Sequence, residues 1–143
     1  MAVKDYYLEP GPTKNLIDFC MNHQLSMTNL LLLGIRTYLS KVNNGQEDIT
    51  IQNFISRRST HDEWTSGGSR TIMFPCRTVI APETDFLSAA YEIQNMQNRI
   101  YMHSNYDPAF IMDEMRKRYN TPEHTGYESC YLTYQPMTDE GRE

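Results

Sequence analysis

This chain of 143 residues lacks the long apolar runs that membrane-spanning helices and signal peptides contain. Residues 1–4 are not followed by an apolar segment of signal-peptide length, and no run approaches the roughly 20 apolar residues of a membrane span. We therefore expect a cytoplasmic protein that has no membrane partner.

Runs of like charge are also missing. The 18 acidic and 13 basic residues give a net charge of −5 and are dispersed along the chain. Neither a basic footprint for nucleic acid nor a polybasic membrane patch is present, so we expect small molecules or protein domains as partners. With 39% hydrophobic residues, the chain can bury the core of one globular domain.

The chain has few residues of the types that form metal sites or act as nucleophiles. The three cysteines are odd in number and widely spaced, which predicts reduced, buried thiols. Cys76 has no evident base, and we interpret it as a small buried hydrophobe rather than a nucleophile. No glycine-rich phosphate loop follows a strand. The histidines also lack metal-ligand spacing, so we predict no metal site and no bound cofactor; they are His23, His61, His103 and His124.

The first third of the sequence predicts a strand and two helices. Residues 2–10 have strand character, and Thr13 can cap a short amphipathic helix after them. A second helix, capped by Ser26 or Thr28, has so little polar surface that we expect burial on more than one side. Residues 43–45, Asn-Asn-Gly, end that helix because they tolerate positive φ.

The middle of the sequence predicts two strands. The period-two alternation from Asp48 to Ser56 indicates a central strand with one apolar face. Residues 57–69 are polar and predict an irregular loop. Residues 70–80 return to strand character, but Pro75 lacks a backbone donor and indicates an edge position or a bulge.

The last third predicts two helices and one strand. Thr84 can cap a long helix that ends near Met102, and the pair Asp107-Pro108 opens another that ends near Tyr119. Residues 127–135 predict a last strand, and residues 137–143 a flexible tail. The fold class is therefore α/β, with a mixed sheet covered by helices.

Four local patterns, in order, resemble condensation domains of nonribosomal peptide synthetases across about residues 3–136. The first is the helix, glycine turn and strand that ends at Arg57. The second is the segment 68–77, Gly-Ser-Arg-Thr-Ile-Met-Phe-Pro-Cys-Arg, in which Arg70 and Ile72 replace the family's Phe and Asn. The third is His103-Ser-Asn-Tyr followed by Pro108, and the fourth is Tyr131-Leu-Thr-Tyr-Gln.

The resemblance implies a two-lobed enzyme in which each lobe is similar to chloramphenicol acetyltransferase. The family's His-His-x-x-x-Asp-Gly motif lies in the first lobe and occurs nowhere in this sequence. We therefore expect residues 1–136 to be the C-terminal lobe alone, either a fragment or one piece of a longer synthetase, with no catalytic residue and no activity by itself. A fragment of this kind should also self-associate through exposed apolar surface.

In the family, the second lobe forms one wall of a substrate tunnel and supplies a strand that crosses to the first lobe. The resemblance assigns residues 57–72 and 75–77, expected to be irregular or bulged, to such elements, and makes Arg57, Arg77 and His103 candidates for the tunnel or the lobe interface. As alternatives, His103 serves only to stabilise the C-terminal end of its helix through the helix dipole, and Arg57 with Arg58 forms a solvated pair.

The implied partners are the N-terminal lobe and carrier proteins, whose phosphopantetheine arm brings the substrate. Two alternatives stay open, namely a protein-interaction module and a lobe of another coenzyme A-dependent acyltransferase.

Overall fold

A computed structural model of the chain describes residues 3–58, 60–122 and 130–134. Helices and strands are interspersed along these residues, which confirms the α/β class. In these ranges no helix combines the length and the apolar content needed to cross a membrane. The elements are α1 (Pro10–Asn22), α2 (Met27–Val42), β1 (Asp48–Ser56), α3 (His61–Thr65), β2 (Thr71–Val79), α4 (Phe86–Met102), α5 (Pro108–Tyr119) and β3 (Tyr131–Leu132).

The three strands form a mixed sheet in the order β2-β1-β3. β1 pairs antiparallel with β2 and parallel with β3, so both the mixed sheet and the central position of β1 are confirmed. Each residue of β1 from Asp48 to Ser56 faces one residue of β2, from Val79 back to Thr71. The pairing contains no bulge.

Pro75 lies in the middle of β2, opposite Gln52. The N–H of Gln52 donates to the carbonyl of Cys130, 2.9 Å away, so the hydrogen-bonding groups of Gln52 point toward β3. In an antiparallel pair, Pro75 must then point its nitrogen toward the open edge of the sheet. The missing N–H therefore removes no bond between β1 and β2. The edge prediction is confirmed, and the alternative of a bulge is wrong.

The core lies between the sheet and the pair α2 and α4. Odd-numbered residues of β1 and even-numbered residues of β2 point toward these helices, as the period of two requires. α2 contacts α1, α4 and β1, which confirms its burial on more than one side. The buried cluster comprises Leu25, Leu32, Leu33, Ile49, Ile51, Cys76, Ile80, Ala89, Ala90, Ile93 and Met96.

The opposite face of the sheet is only partly covered. Phe54, Met73 and Val79 lie on it and are 38%, 39% and 59% exposed. Arg77 shares this face because it is also odd-numbered on β2, and its side chain is exposed as well. The sheet therefore has one buried face and one face with exposed apolar side chains.

The strand predicted for residues 2–10 is wrong. Residues 3–9 form neither strand nor helix, and α1 begins at Pro10 with Glu9, not Thr13, at the N-cap. Proline suits the first turn because its fixed φ is helical and its missing N–H would have no partner there. The Thr13 hydroxyl instead donates to the Glu9 carbonyl, at 2.9 Å.

Short polar side chains set the other helix ends. Ser26 caps α2, since its Oγ accepts from the Asn29 N–H at 3.1 Å. Asp107 caps α5 as predicted, but α4 is capped by Asp85 and not by Thr84. A carboxylate one residue closer to the helix accepts its free amides and also suits the positive end of the helix dipole. The predicted positive φ after α2 is confirmed at Asn44 (56°) and Gly45 (79°).

The predicted irregular loop over residues 57–69 contains the short helix α3, so that prediction is partly wrong. Thr60 and Glu63 form a reciprocal capping box, with each backbone N–H donating to the other's side chain at 3.2 Å. The spacing of a threonine and a glutamate three residues apart was the available signal. Of the predicted strand 127–135, the described part contains Tyr131–Leu132, and residues 127–129, 135 and the tail 137–143 lie outside the described residues.

The cap of α2 gives a test of this local structure. We expect Ser26→Ala to lower the free energy of unfolding by about 1 kcal/mol, because the Asn29 N–H loses its acceptor. Thr28→Ala is the matched control, because Thr28 is the alternative cap that the sequence offers. This substitution should lower the free energy of unfolding clearly less than Ser26→Ala does. Urea unfolding measures both, and equal losses would contradict the assignment.

Candidate functional site

Arg57 follows the last residue of β1, at one end of the central strand. Its Nη2 donates to the Oδ1 of Asn105 at 3.1 Å, and Asn105 lies in the turn between α4 and α5. This exposed contact brings the end of β1 to the beginning of α5. Arg57 keeps further donors available to a ligand, since a guanidinium group has five N–H groups.

Arg58, the second arginine of the pair, organises the segment between β1 and β2. Its guanidinium donates to the carbonyls of Ser66 (2.8 Å) and Gly68 (2.6 Å), and also to that of Glu63. These bonds hold the segment around α3 in a folded turn. The description of the two arginines as a solvated pair is therefore wrong for Arg58, which has a structural role.

A cleft of about 350 Å³ lies beside Arg57. Arg57 and Arg70 provide two guanidinium groups, and Glu63, which pairs with Arg70, provides one carboxylate. The remaining lining is mostly polar, so the cleft suits a polar or anionic group better than an apolar one. Ser69, Thr71, Ile72 and Asn105 complete the lining.

His103 is the C-cap residue of α4, and its backbone N–H donates to the Ile100 carbonyl at 3.1 Å. The prediction that it ends a helix is confirmed. Its exposed side chain lies two residues before Asn105, the partner of Arg57. Arg57 and the His103 turn therefore belong to one end of the fold.

Arg77 lies elsewhere. It faces Thr50 across the ladder and binds Asp48 through two bonds of 2.8 and 2.7 Å. Arg77 donates both bonds to the Asp48 carboxylate, and they raise the pKa of Arg77 and lower the pKa of Asp48. Since residues 75–77 form a regular part of β2, the expectation of a bulge there is wrong.

Cys76 is buried in the core and does not act as an exposed thiol. Desolvation by burial raises its pKa to about 11, so the reactive thiolate is scarce at neutral pH. Gln97 Nε2 donates to its sulfur at 3.0 Å, and Asn53 Nδ2 donates to Gln97 Oε1 at 3.3 Å. The interpretation as a buried side chain is confirmed.

Several residues of the cleft were not identified from the sequence. Asn105 lies in the His103 pattern and Arg70 in the segment 68–77. Neither pattern indicates that Asn105 contacts Arg57 or that Arg70 contacts Glu63. The spacing of Thr60 and Glu63 was the only local signal for the position of Glu63. Among the described residues, no group of three histidine, cysteine or acidic side chains could hold a metal ion.

Residues 4–128 match the family model described as the condensation domain. The match extends over most of the sequence and includes all the described elements from α1 to α5. The chain belongs to the condensation domain family.

Among characterised proteins, the chain is similar to one of the plipastatin synthase proteins from Bacillus subtilis (strain 168). The two are 23% identical over 109 residues, which cover 76% of this chain and 4% of that protein. The chain therefore spans a small part of this synthase, to which its similarity is local.

Two solved structures of the first condensation domain of the calcium-dependent antibiotic synthetase share the fold. The complex with substrate analogue 2a has a TM-score of 0.70 at 15% identity and covers 91% of this chain and 29% of that one. The complex with analogue 3a has a TM-score of 0.71 at 14% identity, with coverage of 91% and 28%. The chain spans less than a third of these structures.

The Asp48–Arg77 pair gives a test that depends on pH. The lowered pKa of Asp48 stabilises the fold above the ordinary carboxyl pKa, and this stabilisation is lost as the pH falls through the folded-state value. At pH 7 we expect Asp48→Asn to lower the free energy of unfolding by less than about 1 kcal/mol, because the pair is largely exposed.

The difference between Asp48→Asn and the unchanged chain should begin to shrink below about pH 4 and should disappear once the pH is below the lowered folded-state pKa of Asp48, where the carboxyl group is protonated in both states. Urea unfolding at several pH values measures it, and Asp62→Asn on α3 serves as the control because Asp62 forms no ion pair among the described residues. A deficit that persists at low pH would contradict the role of this pair.

Proposed function

We propose that this chain is the C-terminal half of a nonribosomal peptide synthetase condensation domain. In the intact enzyme, such a domain forms an amide bond between carrier-bound acyl and aminoacyl thioesters. The main support for this proposal is the family match over residues 4–128. The local similarity to a plipastatin synthase protein and the order of the four sequence patterns support the synthetase context.

The proposal concerns a lobe because the chain lacks the family's proton-handling motif. Attack of an amine on a thioester needs a group that positions or deprotonates the amine, and histidine suits this work. The sequence contains no His-His-x-x-x-Asp-Gly motif, and Cys76 is buried with a raised pKa. We therefore assign no catalytic residue to this chain and expect it to be inactive alone.

The cleft beside Arg57 supports a role for this end of the fold in the substrate tunnel. Its guanidinium groups and polar lining could contact the polar arm of a carrier protein. His103 lies in the turn next to the contact between Arg57 and Asn105. We assign Arg57 and His103 to the tunnel wall on this ground.

Arg77 fits the lobe interface better than the tunnel. It lies on the partly covered face of the sheet, together with Phe54, Met73 and Val79. Exposed apolar side chains with a charged pair beside them are typical of surfaces that other domains cover. We propose that the N-terminal lobe covers this face. In this proposal both lobes are similar to chloramphenicol acetyltransferase.

The proposed substrates reach the intact enzyme on carrier proteins, through a phosphopantetheine arm that serves as substrate and not as a bound cofactor. The synthetase context also implies a cytoplasmic location. Motifs of adenylation and carrier domains in the same gene would support this context over a lobe of a coenzyme A-dependent acyltransferase.

A protein-interaction module is the second candidate. The exposed side chains of Phe54, Met73 and Tyr131 favour it, because aromatic residues and methionine are enriched in interfaces. This candidate predicts binding without acyl transfer. A gene that encodes no His-His-x-x-x-Asp-Gly segment would favour it.

An amide-forming assay tests the proposed function. We expect the chain alone to give no product from aminoacyl-loaded carrier proteins, because it lacks the histidine motif. Product should appear when the chain is produced together with the segment of its own gene that carries this motif. Mass spectrometry of the carrier-bound product measures both, and product from the chain alone would overturn the lobe assignment.

In the reconstituted enzyme, Arg57→Ala and His103→Ala should lower kcat/KM by about tenfold, which corresponds to about 1.4 kcal/mol of lost transition-state binding. Arg99→Ala is the matched control, since Arg99 is exposed on α4 and lies outside both the lining of the cleft and the segment 57–72. Equal effects at all three positions would contradict the tunnel assignment.

The partly covered sheet face predicts self-association of the isolated chain. Sedimentation velocity should show species larger than a monomer as the concentration rises. Met73→Lys or Val79→Lys should weaken this association by about tenfold, because a charge replaces an apolar side chain in the contact. Tyr38→Lys on α2 is the control on the helical side, and a monomeric chain at high concentration would refute the prediction.

A further inference from the structure

A second cavity lies at the end of the sheet opposite Arg57. It has a volume of about 240 Å³ and is partly open to solvent. The C-terminal half of α2 forms one side, and the segment from the end of β2 to the first turns of α4 forms another. This cavity shares no residue with the cleft beside Arg57.

Arg36 lines this cavity and is 5% exposed. Its Nη2 donates to the carbonyls of Glu47 (2.5 Å) and Ile80 (2.7 Å), which precede β1 and follow β2. Its buried Nε has no hydrogen-bond partner within the part of the chain that the structure describes. A buried donor without a partner costs about 1–3 kcal/mol.

The charge of Arg36 is also incompletely compensated. No carboxylate of the described residues lies within ion-pair distance of it, and the carboxylates of Glu47 and Glu92 act on it only from farther away. Buried charges are normally paired, because desolvation of an isolated ion is costly. An anion in the cavity would supply the close counter-charge that this guanidinium group lacks among the described residues.

The other lining groups define the kind of anion. Polar contacts come from hydroxyl groups and from one ammonium group at the rim, namely Thr37, Ser40, Thr84 and Lys41. The rest of the lining is largely apolar and includes Leu33, Ile80, Phe86 and Ala89. One buried guanidinium group next to an apolar wall suits a monoanion with a short aliphatic chain.

We propose that this cavity binds a short-chain carboxylate. The carboxylate accepts from Arg36 and is supported by Lys41, and the aliphatic chain packs against the apolar lining. The site is separate from the acyl-transfer chemistry proposed above and does not depend on it.

Hexanoate binding to the full chain tests this site. In ¹H–¹⁵N spectra of the side-chain region, the Nε–H resonance of Arg36 should shift in a saturable way on titration with hexanoate. Hexanol at the same concentrations should leave it nearly unchanged, because it has no charge to pair with the guanidinium group. The absence of a saturable shift, or an equal shift with hexanol, would overturn the proposal.

Two variants locate the binding without removing Arg36. Lys41→Met should weaken hexanoate affinity about threefold to tenfold through the loss of one charge, and Lys14→Met on α1 should leave it unchanged. Thr37→Leu places an apolar side chain in the cavity and should weaken binding at least about tenfold.

Thr50→Leu on the other face of the sheet is the control for Thr37→Leu, and thermal unfolding checks that both variants are folded. Undiminished affinity in folded Thr37→Leu would refute the site. Failure of the amide-forming assay would leave this result unaffected, so the two proposals can be judged separately.

Discussion

The packing of α2 and α4 against one face of the β1–β2 pair is the constraint on which the rest of this structure depends. β1 has a buried face because Ile49, Ile51 and Ile55 lie an even number of positions apart and so share one side of the strand, and β2 supplies Phe74 and Cys76 to the same side. Burial of these side chains removes apolar surface from water and fixes the register, since a slip by one residue would turn every side chain to the other face. Both ends of the sheet, and the residues that lie there, are positioned by this register.

Two arginines at opposite ends of the sheet show how similar side chains acquire different roles. Arg57 is exposed, bonds to Asn105 and lies beside a polar cleft. Arg36 is buried, holds the carbonyls of two chain segments together and lines an amphipathic cavity. The condensation domain family suggests a role only for the Arg57 end, as part of the proposed tunnel. The cavity at the Arg36 end is defined by the contacts of this chain alone.

Much of the secondary structure could be predicted because its signals are local. The period of β1, the Ser26 and Asp107 caps and the positive φ after α2 each depend on a few neighbouring residues. The errors were local choices between near-equal options. Thr84 was chosen over Asp85 as the N-cap of α4, and a strand was predicted where an irregular segment precedes Pro10. Pro75 was correctly placed at an edge, but only the register shows why a proline is tolerated there without a bulge.

The sequence by itself determined α1, α2, α4 and α5, the central strand, the mixed α/β character and the resemblance to a condensation domain. Only the tertiary structure decided which charged and polar side chains meet. Arg57 and Asn105 are 48 positions apart, Asn53 and Gln97 are 44 apart, and so are Arg36 and Ile80. Contacts between such distant residues follow from strand register and from the packing of helices on the sheet, and no short-range pattern in the sequence encodes either.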